Sequence, residues 1–168
     1  MSPNYPAAFL LAVERVLMSE GGYVNDANDV GGETHWGVSK RAYPALDIRA
    51  LTRDDAIAIY WRDYWTAVRG SNLPFPVAIV VFDAAVNQGV KTAIRFLQSA
   101  LKVLEDGVIG PATIAAAEAS SDPVDLAGRV CRRRVISYST LEGWERYRTS
   151  WVQRTFDVYR VAIEARPA

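Results

Sequence analysis

The chain has 168 residues, which is enough for one domain or for two small lobes that share a core. Half of the residues are hydrophobic and 23% are charged, a balance typical of a folded globular protein. Nineteen basic side chains balance nineteen acidic ones, so the net charge gives no support for binding to nucleic acid or to an anionic surface.

The first predicted element is a helix over PAAFLLAVERVLMSE. Its inward stripe has three- and four-residue spacing and consists of Phe9, Val13, Val16, Leu17 and Glu20. Gly21 and Gly22 predict the end of this helix. Residues 23–50 are irregular, with a small β-hairpin near residues 23–39. A capping box at Thr52 then begins a helix that is predicted to reach about Arg69.

The remainder of the chain predicts further helices after the breaker GSNLPFP. The run over 77–87 is apolar nearly all round and predicts a buried helix. Further helices are predicted over 91–104, from Pro111, over 123–140 and over 144–165. The sum is an all-α fold with one long irregular segment, and segments of that kind are usually functional.

The single cysteine, Cys131, excludes an intrachain disulfide and has no neighbour placed as a base, so we predict a buried structural thiol. No stretch approaches the roughly 18 apolar residues of a membrane span. The N-terminal residues lack the pattern of a secretory signal. We therefore expect synthesis in the cytoplasm without a signal peptide.

The stretch SEGGYVNDANDVGGETHWG at residues 19–37 is too polar for a core segment. Its spacing resembles a calcium-binding loop, but Gly37 stands where a bidentate glutamate is needed. It also resembles a phosphate-binding loop, but Val38 replaces the essential lysine. Zinc would need several His or Cys ligands, and the chain has one of each. His35 alone is more often a loop side chain than a ligand or a base.

Acid-base chemistry remains as an interpretation of this stretch. Glu20 is predicted at the C-terminal end of the first helix, where partial burial and the helix dipole would both raise its pKa. Asp29 lies in a polar glycine-rich turn that should keep it ionised, and Thr34 could hold a water beside it. Two carboxyl groups in such different environments are the arrangement that acts on glycosidic bonds. The alternative is that Glu20 caps a turn, Asp29 makes an Asx-turn and Thr34 is incidental.

Two resemblances favour the chemical interpretation. The spacing of Glu20, Asp29 and Thr34 resembles the Glu-Asp-Thr triad of T-even phage lysozymes. The longer text EGGYVNDANDVGGETHWGVS resembles the signature of glycoside hydrolase family 108, which contains N-acetylmuramidases of phage endolysins and bacterial lysis cassettes. The resemblance implies a lysozyme-like fold, with Glu20 as the essential acid and Asp29 and Thr34 in support.

The stretch FDAAVNQG at 82–89 resembles the second signature of that family. Asp83, Asn87 and Gln88 are predicted to bind substrate there, although polar groups at a helix end are the alternative. Trp36 and Tyr64 are predicted to stack on sugar faces. The many late arginines could meet anionic wall groups, although simple solvation of helices is the favoured interpretation.

The text EDGVIGPAT resembles a turn of peptidoglycan-binding modules. We therefore predict a catalytic muramidase lobe over residues 1–90 and a peptidoglycan-binding-like helical lobe over residues 91–168, packed as one compact unit. The resemblance implies an enzyme that hydrolyses the β-1,4 bond between N-acetylmuramic acid and N-acetylglucosamine. The alternatives are a non-catalytic peptidoglycan-binding or morphogenetic module and a chitinase-like enzyme.

The expected partner is bacterial peptidoglycan, reached in the periplasm with the help of a holin. We expect a monomer that needs no metal and no organic cofactor, binds no nucleic acid and has no membrane span. The sequence leaves open whether the mechanism inverts or retains the anomeric configuration.

Overall fold

The computed structural model describes residues 4–19, 22–25 and 32–165, and this part of the chain is mainly helical. Within it there are seven α-helices and one pair of short strands. In chain order they are α1 (Ala7–Ser19), β1 (Thr34–His35), β2 (Val38–Ser39), α2 (Arg53–Tyr60), α3 (Phe75–Gln88), α4 (Val90–Leu101), α5 (Pro111–Glu118), α6 (Pro123–Tyr138) and α7 (Trp144–Glu164). The predicted all-α class is confirmed. None of the described helices combines the length and the apolar character that crossing a membrane requires.

Helix α3 is the centre of the fold. It packs against α1, α4, α6 and α7, and every residue from Pro76 to Ala85 is buried. Burial on all sides explains why its sequence is apolar nearly all round. The helix begins at Phe75, slightly before the predicted start, because Pro76 is tolerated in a first turn where its missing N–H is not needed.

Helix α1 buries the stripe that its periodicity predicts. Phe9, Val13 and Val16 have no exposed surface, and Leu17 is almost fully covered. Phe9 also lies edge-on to Phe82 of α3, with ring centroids 5.7 Å apart. The inward face of the described part of α1 is therefore confirmed, while Glu20, the last predicted member of the stripe, lies outside the described residues.

The predicted hairpin is present and short. β1 and β2 pair antiparallel, with Thr34 opposite Ser39 and His35 opposite Val38. The two residues between the strands, Trp36 and Gly37, have φ angles of 53° and 76°. Positive φ at both central residues defines a type I′ turn, which matches the twist of a two-residue hairpin.

The predicted long helix after Thr52 is wrong in its second half. The capping box between Thr52 and Asp55 is confirmed, but the α-helix ends at Tyr60 and a π-helical segment follows over Trp61–Trp65. The amide of Thr66 donates to the carbonyl of Trp61 at 2.9 Å, one residue further back than in an α-helix. Helix periodicity in the sequence does not distinguish such a short π segment from an α-helix.

The loop between α4 and α5, which contains EDGVIGPAT, is held by the buried side chain of Gln98. Its amide nitrogen donates to Asp106 Oδ1 at 2.7 Å and to the carbonyl of Val108 at 3.0 Å. Its amide oxygen accepts from the backbone N–H of Gly107 at 2.8 Å. α4 itself ends at Leu101, three residues before the predicted end, because Lys102 adopts a left-handed conformation.

Candidate active site

Two of the three predicted catalytic residues, Glu20 and Asp29, lie outside the described residues. The third, Thr34, begins β1 and is half-buried. Its backbone forms an antiparallel bridge with Val24, and its hydroxyl donates to the carbonyl of Gly32 at 3.2 Å. The bridge brings Thr34 beside a residue that follows Glu20 by four positions in the sequence.

Trp36, a predicted stacking residue, is half-buried in the turn of the hairpin. Its ring stacks on His35 with centroids 5.2 Å apart and an interplanar angle of 19°. The carbonyl of Ile48 can only accept, so the 3.2 Å contact with His35 Nδ1 requires a hydrogen on that nitrogen. This bond and the ring stacking hold the imidazole against Trp36.

Tyr64, the second predicted stacking residue, lies in the π-helical segment and is half-buried. Its ring is tilted by 40° against that of Tyr60, with centroids 5.7 Å apart. Tyr60 in turn donates its hydroxyl to the carbonyl of Trp36 at 3.1 Å. Trp36 and Tyr64 are therefore connected through one buried tyrosine, although sugar stacking by either remains a prediction.

A polar cluster joins the C-terminal end of α3 to α6 and α7. We call it the Asp83 cluster, and its members are Asp83, Asn87, Gln88, Arg134, Tyr138 and Arg154. Arg134 is fully buried and donates from Nη1 to Asp83 Oδ2 at 2.5 Å. Arg154 donates from Nη2 to the other carboxylate oxygen at 2.9 Å. The cluster is thus built around one buried carboxylate between two guanidinium groups.

The pKa of Asp83 lies below the usual range for an aspartate. Burial would raise this pKa, but the positive charges and hydrogen bonds of Arg134 and Arg154 outweigh it. Asp83 therefore stays ionised, and both of its oxygens are engaged by arginine. This geometry gives Asp83 a structural function in the cluster, and direct contact with a substrate remains a prediction without support from its surroundings.

Asn87 and Gln88 are the members of the cluster that reach its outer side. Asn87 is exposed and Gln88 is half-buried. Arg134 donates to Gln88 Oε1 from Nε at 2.9 Å and to Asn87 Oδ1 from Nη2 at 3.3 Å. α3 ends directly after them at Gly89, whose φ of 89° stops the helix as the sequence predicts. Substrate binding by the two amides stays a prediction.

Arg134 and Arg154 were not predicted as site residues, because the late arginines were interpreted as charged side chains that keep helix surfaces in contact with water. A signal was available for Arg134. The buried positions of α6 recur at helical spacing and are Leu126, Ala127, Val130, Cys131, Arg134 and Tyr138. Arg134 therefore falls on the inward stripe of its helix, where a charged side chain needs a buried partner.

Among the residues that the structure describes, no group of three or more His, Cys, Asp or Glu side chains could hold a metal ion. The described residues thus add no support for metal chemistry at the hairpin or at the Asp83 cluster. The expectation that the protein needs no cofactor remains a prediction.

Comparison with known proteins gives matches of two kinds. The sequence model described as Glycosyl hydrolase 108 matches residues 13–89, a range that ends one residue after Gln88. Twelve chains of solved structures also match, among them the structure of Brucella abortus SagA. That chain is 30% identical with a TM-score of 0.83, and the alignment covers 93% of this chain and 94% of SagA. No curated protein sequence gives a significant match.

Proposed function

This chain belongs to the glycosyl hydrolase 108 family and is a glycoside hydrolase, and we propose on that basis that it cleaves bacterial peptidoglycan. The proposed bond is the β-1,4 linkage between N-acetylmuramic acid and N-acetylglucosamine. The observation that carries the proposal is the family match over residues 13–89, because this range contains both the stretch from Glu20 to Gly37 and the end of α3.

We assign the general acid to Glu20. In the sequence Glu20 directly follows Ser19, the last residue of α1, and the C-terminal end of a helix carries a partial negative charge. A negative potential favours the protonated carboxyl group, which is the form that must donate a proton to the leaving oxygen. Asp29 and Thr34 are proposed to orient or activate the attacking water.

A platform for the sugar chain is the remaining requirement of such a site. Trp36 and Tyr64 present half-buried aromatic rings, and aromatic faces suit the apolar faces of sugars. Asn87 adds an exposed amide at the end of α3. These aromatic and amide groups are suited to a saccharide ligand and support the proposal on that ground. Release to the periplasm by a holin and a function in cell lysis remain predictions.

The decisive experiment compares Glu20→Gln with Glu118→Gln on purified peptidoglycan. Glu118 is the exposed last residue of α5, so it matches Glu20 in residue type and in predicted position at a helix end. We expect Glu20→Gln to lose at least roughly a hundredfold in turnover, because general acid catalysis contributes 10²–10⁴. Glu118→Gln should retain wild-type turnover. Substantial residual activity in folded Glu20→Gln would remove Glu20 from the mechanism.

Mass spectrometry of the products identifies the bond. Muramic acid at the new reducing ends supports the proposed muramidase activity, whereas glucosamine there would mean a glucosaminidase. Retention on peptidoglycan without any new reducing ends would instead indicate the non-catalytic binding module. Digestion of chitin oligomers at the same rate as peptidoglycan would indicate the chitinase-like alternative.

A further inference from the structure

We propose that Arg134 and Tyr138 are positioning residues that turn the side-chain amides of Asn87 and Gln88 so that both NH₂ groups face the substrate. The two amides would then bind oxygen atoms of an N-acetylated sugar, its acetamido carbonyl or its hydroxyls, as hydrogen-bond donors. This inference rests on the proposed function, because it states that the same site binds its substrate through hydrogen-bond donors. Arg134 and Tyr138 belong to α6, which lies beyond the residues that the family model matches. The inference therefore assigns α6 a function in that site.

The orientation of the amides follows from the chemistry of arginine. A guanidinium group has only N–H donors, so any atom that it contacts by a hydrogen bond must be an acceptor. The atoms that face Arg134 are therefore the amide oxygens of Asn87 and Gln88, at 3.3 Å and 2.9 Å. The oxygen and nitrogen of a planar amide diverge from the same carbon, so an oxygen that contacts the guanidinium leaves the nitrogen turned aside from it. Both NH₂ groups consequently point away from Arg134.

Tyr138 completes this arrangement. Arg134 Nε has one hydrogen, which the Tyr138 hydroxyl oxygen at 3.1 Å and Gln88 Oε1 at 2.9 Å share as acceptors. The hydroxyl hydrogen of Tyr138 goes to Asn87 Oδ1. Burial raises the pKa of Tyr138, so the hydroxyl keeps the hydrogen that this bond uses. Asn87 Oδ1 then has two donors, Arg134 and Tyr138, for its two lone pairs. Asn87 can therefore offer a ligand its N–H groups but not its oxygen.

The arrangement is fixed before any ligand arrives. Arg134 has no exposed surface. Besides its bonds to Asn87, Gln88 and Tyr138, its guanidinium group forms an ion pair with Asp83. Asp83 is itself held from the other side by Arg154. A guanidinium between a buried carboxylate and two amide oxygens has no room to rotate, so the donors are preorganised and little entropy is lost on binding.

The two amide nitrogens remain available. Among the described residues, neither Asn87 Nδ2 nor Gln88 Nε2 has a protein acceptor. Asn87 is exposed and Gln88 is half-buried, so both residues lie at the outer side of the Asp83 cluster. Two adjacent, oriented donors select for ligand oxygens and against ligand groups that only donate.

The first test measures kcat and KM on soluble peptidoglycan fragments. Tyr138→Phe removes one hydroxyl and keeps the ring, which stacks on Trp151 with centroids 4.9 Å apart. Asn87→Asp keeps the oxygen that Arg134 binds and removes the NH₂ group. We expect KM to rise about tenfold in Asn87→Asp and about fivefold in Tyr138→Phe. The value of kcat should change less than about twofold, because the lost hydrogen bonds contribute equally to binding of the ground state and of the transition state.

Arg134→Lys is the third variant, since a lysine keeps the charge but cannot contact Asp83 and both amides at once. Its matched control is Arg133→Lys, the same change at the exposed neighbouring position, which should keep the wild-type KM. If Arg134→Lys does not fold, Tyr138→Phe and Asn87→Asp still decide the question. Unchanged KM in folded Tyr138→Phe and Asn87→Asp would overturn the inference.

A second readout separates this inference from the proposed function. Titration of the wild type with N-acetylglucosamine oligomers should shift the NMR signals of the Asn87 and Gln88 side-chain NH₂ groups, and Tyr138→Phe should weaken the shift for Asn87. If the wild type does not hydrolyse peptidoglycan, the proposed function fails while the titration still tests the donors. If it hydrolyses peptidoglycan and both NH₂ signals stay unmoved, the proposed function stands and this inference is wrong.

Discussion

The hydroxyl of Tyr60 donates a hydrogen bond to the backbone carbonyl of Trp36 at 3.1 Å, and so ties the last residue of α2 to the turn of the hairpin. The bond holds a residue in an unfavourable backbone conformation. With φ at 53°, Trp36 adopts the left-handed region, which costs a residue with a Cβ atom roughly 1–2 kcal/mol. A bulky aromatic residue in this position is uncommon, and backbone strain of this kind is concentrated at functional sites.

The strain at Trp36 can be separated from the function of its ring. Asparagine tolerates the left-handed region and is favoured at the first central position of a type I′ turn, whereas alanine is not. We expect Trp36→Asn to be about 1 kcal/mol more stable than Trp36→Ala in urea unfolding. Both variants should lose activity on peptidoglycan to the same extent, because both lack the aromatic surface. Activity close to that of the wild type in either variant would contradict a stacking function for Trp36.

Gly89 is a position where the backbone conformation requires glycine. Its φ of 89° and ψ of 147° place it in a region that other residues rarely adopt. A Cβ atom added there would meet no atom within 4 Å, so the expected cost of Gly89→Ala is backbone strain alone, about 1–3 kcal/mol. Because Gly89 directly follows Gln88, we also expect a higher KM.

Gly110→Ala is the matched control for Gly89→Ala. Its Cβ atom would also meet open space, but its φ of −97° is allowed for any residue. We expect its free energy of unfolding to stay within about 0.5 kcal/mol of the wild type. Equal stability of the two glycine variants would show that the junction between α3 and α4 relaxes and that Gly89 is not required for its conformation.

The helices could be predicted because their causes are local. Apolar periodicity predicted α1 and α3, and Asp122 with Pro123 predicted the start of α6. There the Asp122 carboxylate accepts hydrogen bonds from two backbone N–H groups, both at 3.0 Å. The π-helical segment could not be predicted in this way. In this segment Trp61 and Trp65 both lie edge-on to Phe9 of α1, and such tertiary contacts are not visible in local periodicity.

Candidate site residues could be predicted only where they stand together in one short segment of the sequence. Asn87 and Gln88 stood out because they are polar at the end of an apolar run. The inward position of Arg134 on α6 could be inferred from local spacing, but its partner Asp83, 51 residues away in the sequence, could not. Pairing of a buried charge across such a distance depends on which helices become neighbours, and no local pattern reports it.

Cys131 gives a prediction about reactivity. The thiol is buried on the inner side of α6, and burial raises its pKa to about 12. Since the thiolate is the reactive form, we expect no reaction with Ellman's reagent at pH 8 in the folded protein and one equivalent in denaturant. Fast reaction in the folded state would show that the C-terminal helices open readily and would contradict a structural function for this cysteine.

The last prediction concerns the pH dependence of stability that Asp83 contributes. Its pKa in the folded protein lies below the value of about 3.9 in an unfolded chain. A lowered folded pKa means that the stabilisation is fully present above the unfolded pKa and is lost as the pH falls through the folded pKa. The ionised carboxylate therefore stabilises the fold throughout the neutral range and loses this effect below about pH 4.

Asp83→Asn tests whether the stabilisation by this carboxylate is lost as the pH falls. The variant leaves two guanidinium groups, Arg134 and Arg154, without their shared carboxylate, so we expect a loss of about 3–5 kcal/mol at pH 7 in urea unfolding. The difference from the wild type should stay constant between pH 5 and 8. It should shrink below about pH 4, because there the unfolded wild-type chain binds a proton at Asp83 that the folded protein, with its lowered pKa, does not. Asp54→Asn, at an exposed position of α2, should change stability by less than about 1 kcal/mol. A difference that grows on acidification would mean that the Asp83 carboxylate does not stabilise the cluster through its charge.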